Sequence, residues 1–200
     1  MAKNDQPTID PPRMRYEYRV WGKHRKARKL LEKLASDITE ERVKDCYLLV
    51  EDSTWNAKVR NNTLKVKQLV SEDKGFERWS RDRPESAEAA PSPFDDLYER
   101  LRLDRPQRGK SYDLYDAVAR LDDDPDIEIV FVVKNRRRYT IGKLRAEVTD
   151  IEVTETSEVM HTLAIEGSNL DDLVALRKQL GLRDQPNVAV HEAIGDGFDD

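Results

Sequence analysis

Residues 55–67 read WNAKVRNNTLKVK, and the fold is decided there. Side chains two apart on a strand share a face. Lys58 and Arg60 therefore point one way, with Ala57 and Val59 opposite, and Lys65 and Lys67 oppose Leu64 and Val66. Asn tolerates positive φ, so Asn61-Asn62 predicts a tight hairpin turn between two strands, 54–60 and 63–70. Between Ser53 and Val70 there are four basic residues and no acidic one, in a chain of net charge −5. Like charges facing each other across strands destabilise a sheet. A face of one sign predicts either an anion that neutralises it or a basic face turned to solvent; alternation alone leaves both open.

The pattern recurs along the chain. Lys134-Asn135-Arg136 repeats the Lys-x-Arg spacing, Arg138 continues the same parity, and Arg19 and Arg145 add a cation to two further strands. Several strands each offering inward cations would suit a barrel lumen that holds several phosphate groups. Arg grips phosphate oxygens in pairs, and Lys supplies a point charge. Carboxylates occur singly among these cations: Glu17 between Arg15 and Arg19, Glu147 on the face of Arg145, and Glu166 at the end of a strand. Each fits a salt-bridge partner. Should the three converge, their oxygens would suit a hard divalent cation.

Around these residues, strands are predicted at 14–20, 46–52, 54–60, 63–70, 127–134, 136–141, 143–153 and 160–166. Helices are predicted at Lys23 to Ala35, Phe94 to Leu103, Tyr112 to Leu121 and Leu170 to Leu180. Ser168 is the expected cap of the last helix and Gly181 its terminator. Residues 71–92 lose periodicity and read as a loop, so 71–126 is expected to be an insertion. Residues 1–13 read as a flexible lead and 183–200 as an acidic tail around a domain spanning 14–182.

Composition narrows the function classes. The negative net charge argues against a general nucleic-acid coat, and no specific nucleic acid is expected. Cys46 is the only cysteine, which excludes an internal disulfide and a cysteine-based zinc site. No signal-peptide pattern and no apolar run of membrane-spanning length is found, so a soluble cytoplasmic protein is expected. His24, His161 and His191 lack metal spacing, and the eight glycines form no phosphate-binding loop. Trp21, Trp55 and Trp79 read as packing residues. The sequence does not indicate the oligomeric state.

Taken in order, Glu17-x-Arg19, Lys58-x-Arg60, Leu64-Lys65-x-Lys67, Lys134-x-Arg136-x-x-Tyr139 and Ala164-Ile-Glu166-Gly167 before a helix ending Leu180-Gly181-Leu182 resemble the CYTH superfamily. These are the triphosphate tunnel metalloenzymes, which include class IV adenylyl cyclases, thiamine triphosphatases and inorganic triphosphatases. The resemblance covers about Met14 to Leu182. It implies an α+β fold: an antiparallel eight-stranded β-barrel, open as a tunnel, with helices packed outside. It implies that Arg19, Lys58, Arg60, Lys65, Lys67, Lys134 and Arg136 contact a triphosphate, with Arg138 and Arg145 added as substrate-binding candidates from their strands. It places Glu17, Glu147 and Glu166 at ligand positions for Mg²⁺ or Mn²⁺. The expected activity is metal-dependent hydrolysis of inorganic triphosphate or a nucleoside triphosphate.

The sequence departs from the family on the metal side. The family opens Glu-x-Glu-x-Lys, whereas this chain reads Arg15-x-Glu17-x-Arg19, and the late Glu-x-Glu pair reads Ala164-x-Glu166. A triphosphate-binding module without efficient catalysis is therefore the alternative. An adenylyl cyclase would further need a site for the base and a positioned ribose hydroxyl, and neither is legible. No catalytic residue is assigned, and the partner expected is a triphosphate-containing small molecule.

Overall fold

The computed structural model describes residues 14–50, 53, 55–61, 63–80, 118, 119, 121 and 124–195. Eight antiparallel strands close into a barrel in the order β1-β5-β4-β3-β2-β6-β7-β8. They are β1 (Arg15–Trp21), β2 (Asp37–Leu49), β3 (Trp55–Arg60), β4 (Thr63–Asp73), β5 (Phe76–Ser80), β6 (Glu128–Ile141), β7 (Leu144–Val153) and β8 (Val159–Gly167). Three described helices accompany them: α1 (Arg25–Leu34), α2 (Leu170–Gln179) and α3 (Val190–Gly195). None of the described helices is long and apolar enough to cross a membrane.

The hairpin that opened the sequence reading is present. Lys58 lies opposite Lys65 and Ala57 opposite Val66, with Asn61 at φ 50° in the turn. Eight strands were expected and eight form, but they are not the same eight. The expected pair 127–134 and 136–141 is one strand, β6, which runs through Asn135 without a break. The missing strand is β5, inside the stretch expected to be a loop. β2 also starts nine residues before the predicted 46. Residues 37–45 are polar on both faces, so no alternation marked them; long pairing to β6, from Asp37 with Thr140 to Leu49 with Glu128, holds them extended.

Apolar residues on the outward parity make the wall's outer core. Tyr18, Val20, Phe76, Leu163 and Ile165 pack against Leu173 and Leu176 of α2 and Ala27 and Leu31 of α1. On the other side, Cys46, Leu48, Ala57, Val59 and Val66 pack with Val118, Leu121 and Ile127. Burial pushes the Cys46 thiol up to about 12, so it behaves as a small apolar group.

α2 is capped by Asn169 rather than Ser168: its side-chain oxygen accepts from the backbone N–H of Asp171 and Asp172. Gly181, at φ 72°, ends the helix as expected. The N–H of Gly181 bonds the Lys178 carbonyl and that of Leu182 bonds Arg177, the doubly bonded glycine turn that favours a residue without Cβ. The predicted helix Phe94 to Leu103 lies outside the described residues, and of Tyr112 to Leu121 only Val118, Ala119 and Leu121 are described.

The chain does not leave the barrel at Leu182. Tyr18 Oη lies 2.6 Å from the Leu182 carbonyl oxygen and 2.7 Å from that of Gln185. Beyond Glu17, β1 has no register partner on β5, and the tail takes that edge. The Arg19 N–H donates to Asn187 Oδ1 at 2.7 Å, the Val188 N–H donates to the Arg19 carbonyl at 3.1 Å, and Trp21 Nε1 donates to the Val188 carbonyl at 3.0 Å. The tail thus passes along the β1 edge and delivers α3 to the lumen. Residues 196–200 lie outside the described residues.

Candidate functional site

Strand alternation sorts the wall into two parities. The inward one carries Arg15, Glu17, Arg19 and Trp21 on β1, Asp45, Tyr47 and Leu49 on β2, Lys58 and Arg60 on β3, and Lys65 and Lys67 on β4. It continues with Glu77 and Trp79 on β5, Val130, Val132, Lys134, Arg136 and Arg138 on β6, Arg145, Glu147, Thr149, Ile151 and Val153 on β7, and Met160, Thr162, Ala164 and Glu166 on β8.

The deepest charged group centres on Asp45, whose side chain is 0% exposed. Arg60 donates to both its oxygens, at 2.5 and 2.6 Å, and Lys58 and Lys134 each stand 3.5 Å away. The Tyr47 hydroxyl accepts from Lys134 at 2.5 Å and from Lys58 at 3.2 Å, and both ammonium groups lie over its ring. Burial alone would raise the Asp45 carboxyl, but Arg60, Lys58 and Lys134 hold it below the usual range. Burial, with repulsion from Arg60, Lys67 and Arg136, lowers Lys58 to about 7 despite Asp45. Burial likewise lowers Lys134.

A second group lies beside the first. Glu17 accepts from Lys67 at 3.0 Å and from Arg19 at 3.1 Å. Arg19 also lies 3.9 Å from Glu147. Glu147 accepts from Arg136 and from Thr149 Oγ1 (2.7 Å), while Arg136 reaches Glu41 at 2.6 Å. Burial works against ionisation at Glu17, yet Lys67 and Arg19 keep it ionised well below the ordinary range. Glu147, also buried, is held at about 2 by Arg19 and Arg136. Arg19 Nε is buried and has no hydrogen-bond partner among the described residues.

The rim is wetter. Arg15 donates to Glu166 at 2.9 Å, Arg145 lies 3.9 Å from the same carboxylate, and Arg138 pairs with Glu41 at 2.6 Å. Side-chain exposure falls steeply inward. It runs from 61% at Arg145, 43% at Arg138 and 33% at Arg15 to 11% at Arg136, 9% at Arg19 and 5% at Lys134. Lys65 shares the inward face of the hairpin but is itself exposed.

Arg19, Lys58, Arg60, Lys67, Lys134 and Arg136 therefore lie together in two adjoining groups, close enough that Lys67 and Arg136 act on the charge of Lys58, while Lys65, Arg138 and Arg145 stand toward the rim. The sequence reading missed Asp45, Tyr47, Glu41, Glu77 and His191. Asp45 and Tyr47 flank Cys46 with the parity of Lys58, and a strand begun at residue 37 would have shown them. Glu77 sits on the overlooked β5, opposite Glu17. Burial and the nearby Glu192, Glu17 and Glu72 raise its carboxyl to about 7. His191, on α3, accepts from Asn56 at 3.0 Å and stands edge-on to Trp79. Sequence periodicity could not have placed it there.

The expected metal ligands do not form a cation site. Glu17 and Glu166 are directly opposed across β1 and β8. Their side chains nonetheless turn to different cations: Glu17 to Lys67 and Arg19, Glu166 to Arg15 and Arg145, and Glu147 to Arg136 and Arg138. Among the described residues no three Asp, Glu, His or Cys side chains gather to hold a metal ion. A dication would have to enter where guanidinium groups already sit, with Arg15 and Ala164 at the two places where the family carries carboxylates. These residues do not fit Mg²⁺ or Mn²⁺.

Fold and site together define a closed, antiparallel eight-stranded barrel with a cation-lined lumen. No family model and no curated protein sequence matches the chain. Solved structures share its fold. A conserved hypothetical protein from Pyrococcus furiosus aligns at 16% identity and TM-score 0.57, covering 89% of this chain and 98% of the other. A protein from Pyrococcus horikoshii aligns at 16% identity and TM-score 0.50, covering 85% and 92%. A Bacillus halodurans protein whose proposed activity is that of an adenylate cyclase aligns at 11% identity and TM-score 0.50, covering 92% and 96%. At these identities the likeness is one of fold.

Proposed function

We propose that the lumen binds the phosphate chain of an inorganic or nucleoside triphosphate, and that the chain is a divergent member of the CYTH superfamily. One observation carries this reading. Arg19, Lys58, Lys67, Lys134 and Arg136, from four strands, converge on one enclosed space as two adjoining ion-pair groups. Burying ammonium and guanidinium groups this deeply is costly unless opposite charge compensates them. Inward cations (Arg15, Arg19, Lys58, Arg60, Lys65, Lys67, Lys134, Arg136, Arg138 and Arg145) outnumber the lumen's ionised carboxylates. The unmet Arg19 Nε donor adds a direct demand for an acceptor. A chain of phosphate oxygens supplies both charge and acceptors.

Binding, rather than metal-assisted hydrolysis, is what the side chains support. Burial and the neighbouring cations lower Lys58 to about 7. A polyanion beside it favours the protonated ammonium, so binding takes up protons. Affinity is then full below pH 7 and falls as the pH rises above it.

Calorimetry with tripolyphosphate, with and without chelator, tests the reading. We expect binding of micromolar order or tighter that survives chelation, proton uptake near pH 7, and little release of phosphate with Mg²⁺ or Mn²⁺. No binding in either condition would overturn it. Rapid metal-dependent phosphate release that Glu17→Gln abolishes would establish the hydrolase instead.

A further inference from the structure

We infer that the lumen is a blind well, open at one mouth only, which admits a linear phosphate chain by its free terminal phosphate. The inference rests on the reading that the lumen binds triphosphates, and it deepens that reading by naming which phosphate ligands fit.

The inner wall changes character along its length. Past Lys134, Asp45 and Thr149, the same inward parity carries Val132, Val130, Leu49, Ile151, Val153, Met160 and Trp21. These apolar side chains do not line an open channel. Val190 and Ile194 of α3 pack among them, and with the ring of Tyr47 they form one buried cluster. His191, one position along the helix, faces Asn56 and the edge of Trp79. The floor is therefore dry and filled.

The seam beside β1 is closed as well. Asn187 and Val188 satisfy the backbone of Arg19 and the indole of Trp21 where β5 no longer pairs. A cleft of about 530 Å³ lies along that seam, but its cations (Lys74, Arg177 and Arg183) are matched in number by carboxylates (Glu72, Glu77 and Glu192), so it lacks the run of same-sign side chains that a polyanion needs. Among the described residues, the exposed cationic approach to the network is the rim of Arg15, Arg138 and Arg145.

A phosphate chain entering there meets steadily drier cations and stops at Lys58 and Lys134. Passage further would carry charged oxygens into an apolar cluster with no donors, which is prohibitive without hydrogen-bonding partners. The terminal phosphate, the most highly charged unit of the chain, is thus the one that reaches the deepest ammonium groups. Ligands without a free end are excluded by shape, whatever their charge.

Two measurements on the full chain test this. In the first, tripolyphosphate and ATP, each with a free end, compete with cyclic trimetaphosphate and with a dinucleoside triphosphate blocked at both ends. We expect the first pair to displace each other and the second pair to bind at least about a hundredfold more weakly. In the second, sedimentation with excess protein counts barrels per long-chain polyphosphate molecule. A well that takes only ends holds no more than one barrel at each terminus, however long the polymer. Equal binding of cyclic or double-blocked ligands, or a stoichiometry that grows with polymer length, would overturn the blind well while leaving triphosphate binding intact. Failure of every linear ligand to bind would remove the parent reading and this one with it.

Discussion

The two halves of the barrel lumen are built by the same strands on the same side-chain parity, yet they solve opposite problems. In the half that opens at the mouth, β1, β2, β6 and β7 point Glu17, Arg19, Asp45, Lys134, Arg136 and Glu147 inward, and ion pairs dominate, helped by the hydroxyls of Tyr47, Thr149 and Thr162. Toward the floor those strands point Trp21, Leu49, Val132 and Ile151 inward, and α3 fills what remains. The floor is stable with no ligand, because its apolar side chains leave water as they pack. The charged half is compensated only by carboxylates that a phosphate chain can replace. The difference separates a part of the lumen that holds the fold from the part proposed to take an anion.

The largest effect expected from breaking this contrast is at Asp45. Asp45→Ala leaves Arg60, Lys58 and Lys134 buried without their shared carboxylate, a loss of about 3–5 kcal/mol on the scale of broken buried ion pairs. Urea unfolding should show it. Tripolyphosphate should restore more stability to the variant than it adds to the parent, since it supplies the missing negative charge. An Asp45→Ala protein as stable as the parent would show that these cations are not electrostatically dependent on one another.

Next comes the floor. Ile151 is 0% exposed, and Ile151→Ala should cost about 2–4 kcal/mol through lost burial and the cavity left behind. Tripolyphosphate affinity per folded molecule should stay unchanged. An affinity loss matching the stability loss would mean that the two halves are not separable.

Glu77 sharpens the comparison through pH. Its carboxyl is raised to about 7, above its ordinary range, so the native state holds a proton that the unfolded chain has released. Stability from this group is present below the unfolded value and is lost as pH rises through 7. Glu77→Gln keeps an acceptor for Trp79 Nε1 and removes the ionisation. At pH 8 it should gain roughly 1–2 kcal/mol over the parent, with little difference at pH 4. Thermal melts at the two pH values measure this, and a pH-independent difference would sink it.

The smallest effect belongs to the rim. Arg145 is 61% exposed and 3.9 Å from Glu166, so Arg145→Ala should change stability by less than about 0.5 kcal/mol. It should slow tripolyphosphate association at low salt more than it hastens dissociation, as rim charges that steer ligands do. Stopped-flow binding at two ionic strengths would show whether Arg145 steers or grips.

Much of the site was legible because strand alternation is local. Lys58, Arg60, Lys65 and Lys67 share a parity in any antiparallel hairpin, and Lys134 and Arg136 do so on β6. What escaped were residues whose neighbourhood hides the alternation. Asp45 follows eight residues with polar groups on both faces, and Glu77 lies in a short strand amid Glu, Asp and Lys. The expected count of eight strands held while its membership did not, since β6 had been divided at Lys134-Asn135-Arg136 and β5 passed over. The metal expectation rested on carboxylates one at a time; their partners, such as Arg15 against Glu166 and Lys67 against Glu17, lie 151 and 50 residues away.

By itself, the sequence determined which side chains share a face, that these faces carry one sign of charge, and where α2 stops at Gly181. Those follow from the geometry of one strand or one helix turn, which needs no knowledge of the rest of the chain. Tertiary structure alone decided which faces meet across the barrel, that each carboxylate turns to a cation, and that residues 187–195 return along the β1 edge to close the floor. Such pairings depend on barrel closure and strand register, and no local pattern encodes the distance between groups that the chain brings together from its two ends.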